Sequence, residues 1–304
     1  MSFLASVNGK ITPAEEATVS VLDNGFAFGD SVYEVLRTYG GLAFEPGRHF
    51  RRLRASAARL GFEVLDTDAE LLARLDALAA RADNEESYIR IIVSRGVGDC
   101  SYSFERVQGP TVVMVLKPLP AYPPWHYADG IRTAAVGVRR NHPRALDPAI
   151  KSSNLLNNIL AVREAQARGA EEPVLLNHEG FLAEGASTNV FVARHASLLT
   201  PPLSAGILAG ITREVVLELA AALGIACREQ PLHLDDLLSA DEAFLTSTTR
   251  EVVPVRQVDE ALVGNGRPGP LTRRVLEAFR AYAPAHCGPA ALSAAASPFA
   301  RTSG

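Results

Sequence analysis

The chain is predicted to fold as an α/β protein of the α+β kind, divided into two domains. Three observations say so. Its 304 residues are about twice the length of a common domain. Runs of alternating apolar residues, the mark of strands, are interspersed with runs at helical spacing. Near the middle, PLPAYPPWHYADG carries four prolines within seven residues, at 118, 120, 123 and 124. So proline-rich a stretch suits neither a helix interior nor a central strand, and it reads as a linker.

Taken in order, SFLASVNGKI and ATVSVLDNG alternate apolar positions and end in turn residues, as strands do. SVYEVLRTYGGLAF reads as a hairpin turning at Gly40-Gly41. A helix from about 48 to 60 aligns Phe50, Leu53, Ala57 and Leu60, and Gly61 ends it. A second, from about 69 to 81, stripes Leu71, Leu72, Leu75 and Leu78. SYIRIIVSRG and PTVVMVLKPL are two further strands and complete a first domain, 1–118. The linker covers 119–129. A second domain, 130–285, holds the strands IRTAAVGV, EPVLLN and STNVFVA. Its helices fall at about 153–168, 212–223, 235–238 and 270–281. Residues 286–304 are small and rich in Ala and Ser, and a disordered, dispensable tail is expected there.

Composition excludes several classes of function. A formal net charge of −4 provides no whole-protein basic field for nucleic acid. No apolar run is long enough to span a membrane, and the start turns polar by Asn8, so no signal peptide is expected. Cys100, Cys227 and Cys287 lie far apart, without metal-ligand spacing. A cytoplasmic enzyme or binding protein is the expectation, with no nucleic-acid or membrane partner. Neither GxGxxG nor GxxxxGK[ST] occurs, so the usual nucleotide loops are missing.

Only Lys10, Lys117 and Lys151 among 30 basic residues are lysine. In so arginine-rich a chain, each lysine is a candidate for amine chemistry that guanidinium cannot perform. Lys151 stands where the extended stretch DPAI meets a helix, with Ser152, Ser153 and Asn154 as capping candidates. Ile150 and the apolar helix start partly desolvate it. Its alternative is a head that snorkels to solvent. In GFLAEGASTNVFVA, Glu184 sits among small and apolar residues. Buried there, it would need a cationic partner; exposed, it is an ordinary turn residue. In PLSAGILAGITREVV, Gly206 and Gly210 precede a helix opened by Ile211-Thr212. That arrangement presents free N–H groups suited to a phosphate, or else is a plain connection capped by Thr212. Ser247, Thr248 and Thr249 cluster hydroxyls at a strand end. One of Arg51, Arg52 and Arg54 could face inward and clamp an anion bidentately.

A lysine, a buried acid, a phosphate-ready helix start, hydroxyls and an arginine are together the parts of a pyridoxal phosphate site. The motifs FGDSVYEVLRTY, HFRRLRASA, AIKSSNLLNNILA, LAEGASTNVF, GILAGITRE and FLTSTTREVVPV stand in one order over about 3–282. In them the chain resembles the class IV (fold-type IV) pyridoxal 5'-phosphate-dependent aminotransferases. That group holds the branched-chain and D-amino acid aminotransferases and the aminodeoxychorismate lyases. The resemblance implies a small α/β domain, a larger barrel-like domain with flanking helices, and a homodimer with its sites near the interface.

It also implies roles. Lys151 matches the lysine that bonds the cofactor and shuttles the proton, and Glu184 the acid on the pyridine nitrogen. Arg52, Ile211, Thr212 and Thr248 match the phosphate ligands, and Leu208 the residue against the ring. Tyr33, Tyr88, Arg90 and Thr249 match the substrate side. Tyr88 and Arg90 look like the branched-chain enzymes' Tyr-x-Arg. Val35 and Leu156 look more like the D-amino acid enzymes, yet the Arg-x-His carboxylate trap is replaced by RGVGDCSYSFERVQGP. The implied activity is transamination of a small or branched-chain aliphatic amino acid with 2-oxoglutarate. A D-amino acid aminotransferase, an aminodeoxychorismate lyase and a non-catalytic relative remain open.

Overall fold

The computed structural model describes residues 2–292. Their contacts group them into two units, one of 2–27, 33–119 and 283–292, the other of 28–32 and 120–282. The split near 119/120 falls in the proline-rich stretch. The short segment 28–32 and the residues after 282 cross over, a grouping that linear composition cannot reveal.

The first unit is one six-stranded sheet with helices. Its elements are β1 (Leu4–Val7), β2 (Lys10–Pro13), α1 (Asn24–Phe28), β3 (Ser31–Tyr39), β4 (Leu42–Ala43), α2 (Pro46–Arg59), α3 (Asp68–Ala79), β5 (Ser87–Ser94) and β6 (Thr111–Pro118), although Phe28, Ser31 and Val32 group with the second unit. The strand order is β2-β1-β6-β5-β3-β4. Leu36, Ile89, Ile91, Val93, Met114 and Leu116 are buried, as are Phe50, Leu53 and Ala57 of α2 and the leucine stripe of α3. Pro46 is tolerated in the first turn of α2, where its missing N–H has no helical partner. The start of α3 is a capping box: Glu70 N–H donates to Thr67 Oγ1 (3.2 Å) and Thr67 N–H to the Glu70 carboxylate (2.7 Å). Along β5, Tyr88 and Arg90 alternate with buried Ile89 and Ile91, so they share the other face.

Two expectations fail here. ATVSVLDNG forms no strand: residues 17–22 are irregular or turn, and Asn24 opens α1. Residues 286–292 do not form a loose tail. Cys287 bridges to Phe44, Glu45 N–H donates to His286 O (2.9 Å), and Gly288–Ala291 form a 3₁₀ turn. A Cβ on Gly47 would lie 2.7 Å from Ala291 O. The missing side chain of Gly47 is what lets this segment's backbone approach the helix so closely. The rest of the expected tail, 293–304, lies outside the described residues.

The second unit contains α4 (Trp125–Ala128), β7 (Ile131–Ala135), α5 (Leu156–Ala167), β8 (Glu172–Leu176), β9 (Leu182–Gly185), β10 (Asn189–Arg194), β11 (Ser197–Thr200), α6 (Ile211–Ala222), β12 (Cys227–Glu229), α7 (Leu234–Leu238), β13 (Glu242–Ser247), β14 (Glu251–Val258), β15 (Ala261–Leu262) and α8 (Pro270–Tyr282). The single turn of α4 was not expected in the linker. Pro124 stands at its N-cap, where proline costs no hydrogen bond. The sheet runs β12-β11-β10-β13-β14-β7-β8-β9, and β9 pairs again with β10. Six strands therefore close on themselves, and closure removes exposed edges. Inside lie Ile131, Val174, Leu182, Val190, Val192, Leu245, Val253 and Val255. The closing pair is Asn189 with Glu184. No helix among the described residues is long and apolar enough to cross a membrane.

Candidate active site

Glu184 stands on the barrel seam, in a strand buried at all four positions. Its carboxylate is held on both oxygens. Arg140 Nε donates to Oε1 at 2.7 Å. Leu208 N–H donates to Oε2 at 3.0 Å, and Asn189 Nδ2 approaches the same oxygen at 3.3 Å. Burial pushes the Glu184 carboxyl above the ordinary carboxylate range, while Arg140, the Leu208 N–H and the charge of Lys151 pull the other way. The cationic partner that so buried an acid requires is Arg140. It was not found from sequence, because nothing distinguishes it locally from Arg139. The structure decides: Arg140 N–H donates to Leu176 O (2.9 Å) and its Nη1 to Asn157 Oδ1 (2.9 Å), which aim the head inward.

Lys151 is half-buried beside this acid. The serines after it do not cap a helix. Ser153 N–H donates to Ser31 O (2.9 Å), and Ser152 forms a bridge with Val32. Strand-like pairing with residues 28–32 thus delays the helix, which starts at Leu156 with Leu155 as an N-cap lacking side-chain bonds.

The loop before α6 is interlocked with the seam. Asn189 Nδ2 donates to Leu208 O (3.0 Å), and a Cβ on Gly210 would lie 1.9 Å from Asn189 Oδ1. Gly210 is needed there for space. It is also the N-cap of α6, so Thr212 is the second helical residue and not the cap. Its hydroxyl is buried without a partner, and so are those of Ser153 and Ser247. Thr248 and Thr249 follow Ser247 in the β13–β14 turn, half-buried. Unpaired buried hydroxyls cost free energy unless a ligand satisfies them. The Thr212 hydroxyl, in the first turn of a helix whose N-cap makes no side-chain bond, suits an anion.

In the first unit, Arg52 is the most buried of Arg51, Arg52 and Arg54. Its Nε and Nη2 each lie 2.7 Å from the two oxygens of Glu34, whose other neighbour is His49 Nδ1 at 2.7 Å. Burial opposes ionisation of Glu34, but Arg52 and His49 overcome it and hold the carboxyl well below the usual range. Arg54 instead donates to Val64 O (2.7 Å), Asp66 O (2.5 Å) and Asp68 Oδ1 (2.8 Å), a structural role in the α2–α3 loop. Tyr33 lies 4.2 Å beneath the Arg90 guanidinium, and Arg90 Nε is buried without a partner. Tyr88 faces Lys117 across the strand pair.

An acid so tethered beside a lysine, with an anion-ready helix start, belongs to enzymes that transfer amino groups on pyridoxal phosphate. The chain belongs to the class IV aminotransferases: the family description "Amino-transferase class IV" matches residues 31–258. A Methanocaldococcus jannaschii protein named "Putative branched-chain-amino-acid aminotransferase" is 40% identical over 90% of this chain and 94% of its own. The D-alanine aminotransferase of Bacillus licheniformis is 36% identical, covering 90% and 94%. Among solved structures, the T.th. branched-chain amino acid aminotransferase with pyridoxamine 5'-phosphate superposes with a TM-score of 0.85. It is 30% identical and covers 92% of this chain and 93% of its own. The residues present fit that cofactor group. The orphaned Thr212 and Ser247 hydroxyls and the α6 start suit its phosphate, and Glu184 suits its ring nitrogen.

Proposed function

We propose that the protein transfers the amino group of a small or branched-chain aliphatic amino acid to 2-oxoglutarate. The observation that carries the mechanism is the doubly held Glu184 carboxylate on the seam beside Lys151. When bound, pyridoxal 5'-phosphate supplies an electron-withdrawing ring that acidifies the Cα–H of an attached amino acid. Glu184 holds the proton of the ring nitrogen, and Arg140 and Leu208 keep that carboxylate in place. The Lys151 amine would take the proton from Cα and deliver it to the cofactor carbon, the general-base and general-acid role of one group. Ile211 N–H and the hydroxyls of Thr212 and Thr248 bind the phosphate, with Arg52 as its charged ligand. Leu208 would lie against the ring. Tyr33, Tyr88, Arg90 and Thr249 receive the substrate, an arginine being suited to a carboxylate fork.

The proposal extends to a homodimer in the cytoplasm. Supporting the dimer, Leu156, Ile159 and Leu160 of α5 are exposed on one helix face. Supporting the compartment, the three cysteines are free thiols. A second reading, transamination of D-amino acids, is favoured by the Bacillus licheniformis relative and by Val35 and Leu156. One experiment separates the two. The purified holoenzyme is offered L-leucine, L-valine, D-alanine and D-glutamate with 2-oxoglutarate, and the keto acid formed is identified. Turnover of the L-amino acids supports the branched-chain reading. Turnover of the D-amino acids alone replaces it, and pyruvate from aminodeoxychorismate without an acceptor would mark a lyase.

A further inference from the structure

Arg250 ends the turn between β13 and β14, and its side chain is 13% exposed against 5% for its partner Glu172. Arg250 Nη2 donates to Glu172 Oε2 at 2.7 Å and to Ser187 Oγ at 3.2 Å. The other oxygen, Oε1, accepts Ser187 N–H (3.1 Å) and the Thr188 hydroxyl (3.0 Å). One ion pair thus ties the turn holding Thr248 and Thr249 to the turn that directly follows Glu184. Two tyrosines grip the first turn from the linker side. Tyr127 OH donates to Arg250 O (3.2 Å), and Tyr122 OH to Thr249 Oγ1 (3.3 Å). The bonds continue toward the seam acid. Ala186 O accepts Asn158 Nδ2 (2.5 Å), and Asn158 Oδ1 accepts Arg140 Nη1 (3.3 Å), the arginine that holds Glu184.

We infer that the Glu172–Arg250 pair is a positioning device that sets the Thr248–Thr249 turn against Glu184 and so determines how tightly the amino donor is held. The inference rests on the aminotransferase reading. A buried pair kept only for architecture could be exchanged for well-packed apolar groups with little loss. This pair instead spans two turns that carry site residues, where small displacements matter. A loss of about 1.4 kcal/mol in donor binding is tenfold in its dissociation constant. Thr249 is a substrate residue, whereas the phosphate is also held at the start of α6. Loss of the brace should therefore weaken ground-state donor binding, raising KM with kcat little changed.

The test uses cofactor-loaded wild type, Arg250→Gln, Arg250→Lys, Glu172→Gln and the Glu172→Gln/Arg250→Gln double variant. Donor KM in Arg250→Gln is expected to rise roughly 10- to 100-fold, with kcat within about fivefold of wild type. The dissociation constant of unreactive 4-methylvaleric acid, read from the visible absorbance of the holoenzyme, should rise in parallel. Arg250→Lys should recover part of both, since an ammonium can pair with Glu172 but lacks the fork geometry. The double variant should be no worse than the single ones. Unchanged donor KM and inhibitor constant with only a lower melting temperature would overturn the inference. So would equal loss of kcat and KM with release of the cofactor. Should Arg250→Gln fail to fold, Arg250→Lys and Glu172→Gln decide by the same two constants. A wild type that turns over no amino acid would instead sink the functional reading, before any variant is compared.

Discussion

Replacing Arg140 with methionine removes the guanidinium from Glu184 Oε1 and leaves its place filled by an apolar chain. The two partners are 10% and 6% exposed, so water screens the pair little. Losing one member of a buried pair costs about 3–5 kcal/mol while the other stays ionised. At about 2–4 °C per kcal/mol for a chain of this order of size, the melting temperature should fall by roughly 6–20 °C. Glu184 has an escape, which is to take up a proton. Burial already raises its carboxyl, and losing Arg140 removes a leading opposing pull and raises it further. A carboxyl raised on folding favours the folded state below the ordinary carboxylate range and loses that contribution as pH rises through the raised value. The deficit of Arg140→Met should therefore be small near the ordinary carboxylate range and grow as pH rises through the raised Glu184 value. Calorimetry of wild type, Arg140→Met and Arg140→Met/Glu184→Gln across that range measures it. In the double variant the gap to wild type should no longer follow the titration of a raised Glu184. A deficit in Arg140→Met that is the same at both ends, or under about 1 kcal/mol at the upper end, would refute the pairing argument.

Lys151→Ala should abolish transamination, and borohydride reduction of the wild type followed by peptide mapping should label the peptide holding Lys151; label on Lys10 or Lys117 would contradict its role. Glu34→Gln should destabilise the first unit and weaken cofactor retention, because Arg52 and His49 lose their shared anion. Since the folded-state Glu34 carboxyl is held low, its contribution is present above the ordinary carboxylate range and fades as pH falls. The stability gap between wild type and Glu34→Gln should narrow on acidification, and a gap that widens in acid would be the wrong sign. Truncation after Ala285 removes buried Cys287 and Ala291 and should lower the melting temperature; a chain equally stable without them would show the segment to be dispensable after all.

Local physics made much of this protein legible before its fold was known. Helix α3 announces itself through four leucines at helical spacing within one stretch of chain. Lysine scarcity left Lys10, Lys117 and Lys151 as amine candidates, among which the AIKSSNLLNNILA motif points to Lys151, and the family likeness of HFRRLRASA points to Arg52 over its neighbours, because a short helical motif carries its inward positions with it. Alternation along β5 likewise placed Tyr88 and Arg90 on one face. The three-dimensional fold had to decide what depends on residues far apart. Glu184 asks for a cation, yet only barrel closure through Asn189 and the anchoring of Arg140 to Leu176 select which arginine answers. Ser152 and Ser153 look like caps, but pairing with Ser31 and Val32, some 120 residues earlier, claims their backbone first. Residues 286–292 have the composition of a loose tail and are nonetheless packed, because Gly47 leaves room for their backbone. Composition and periodicity report a residue's preference among its neighbours, whereas burial and partnership follow from which distant strands and turns the chain brings together.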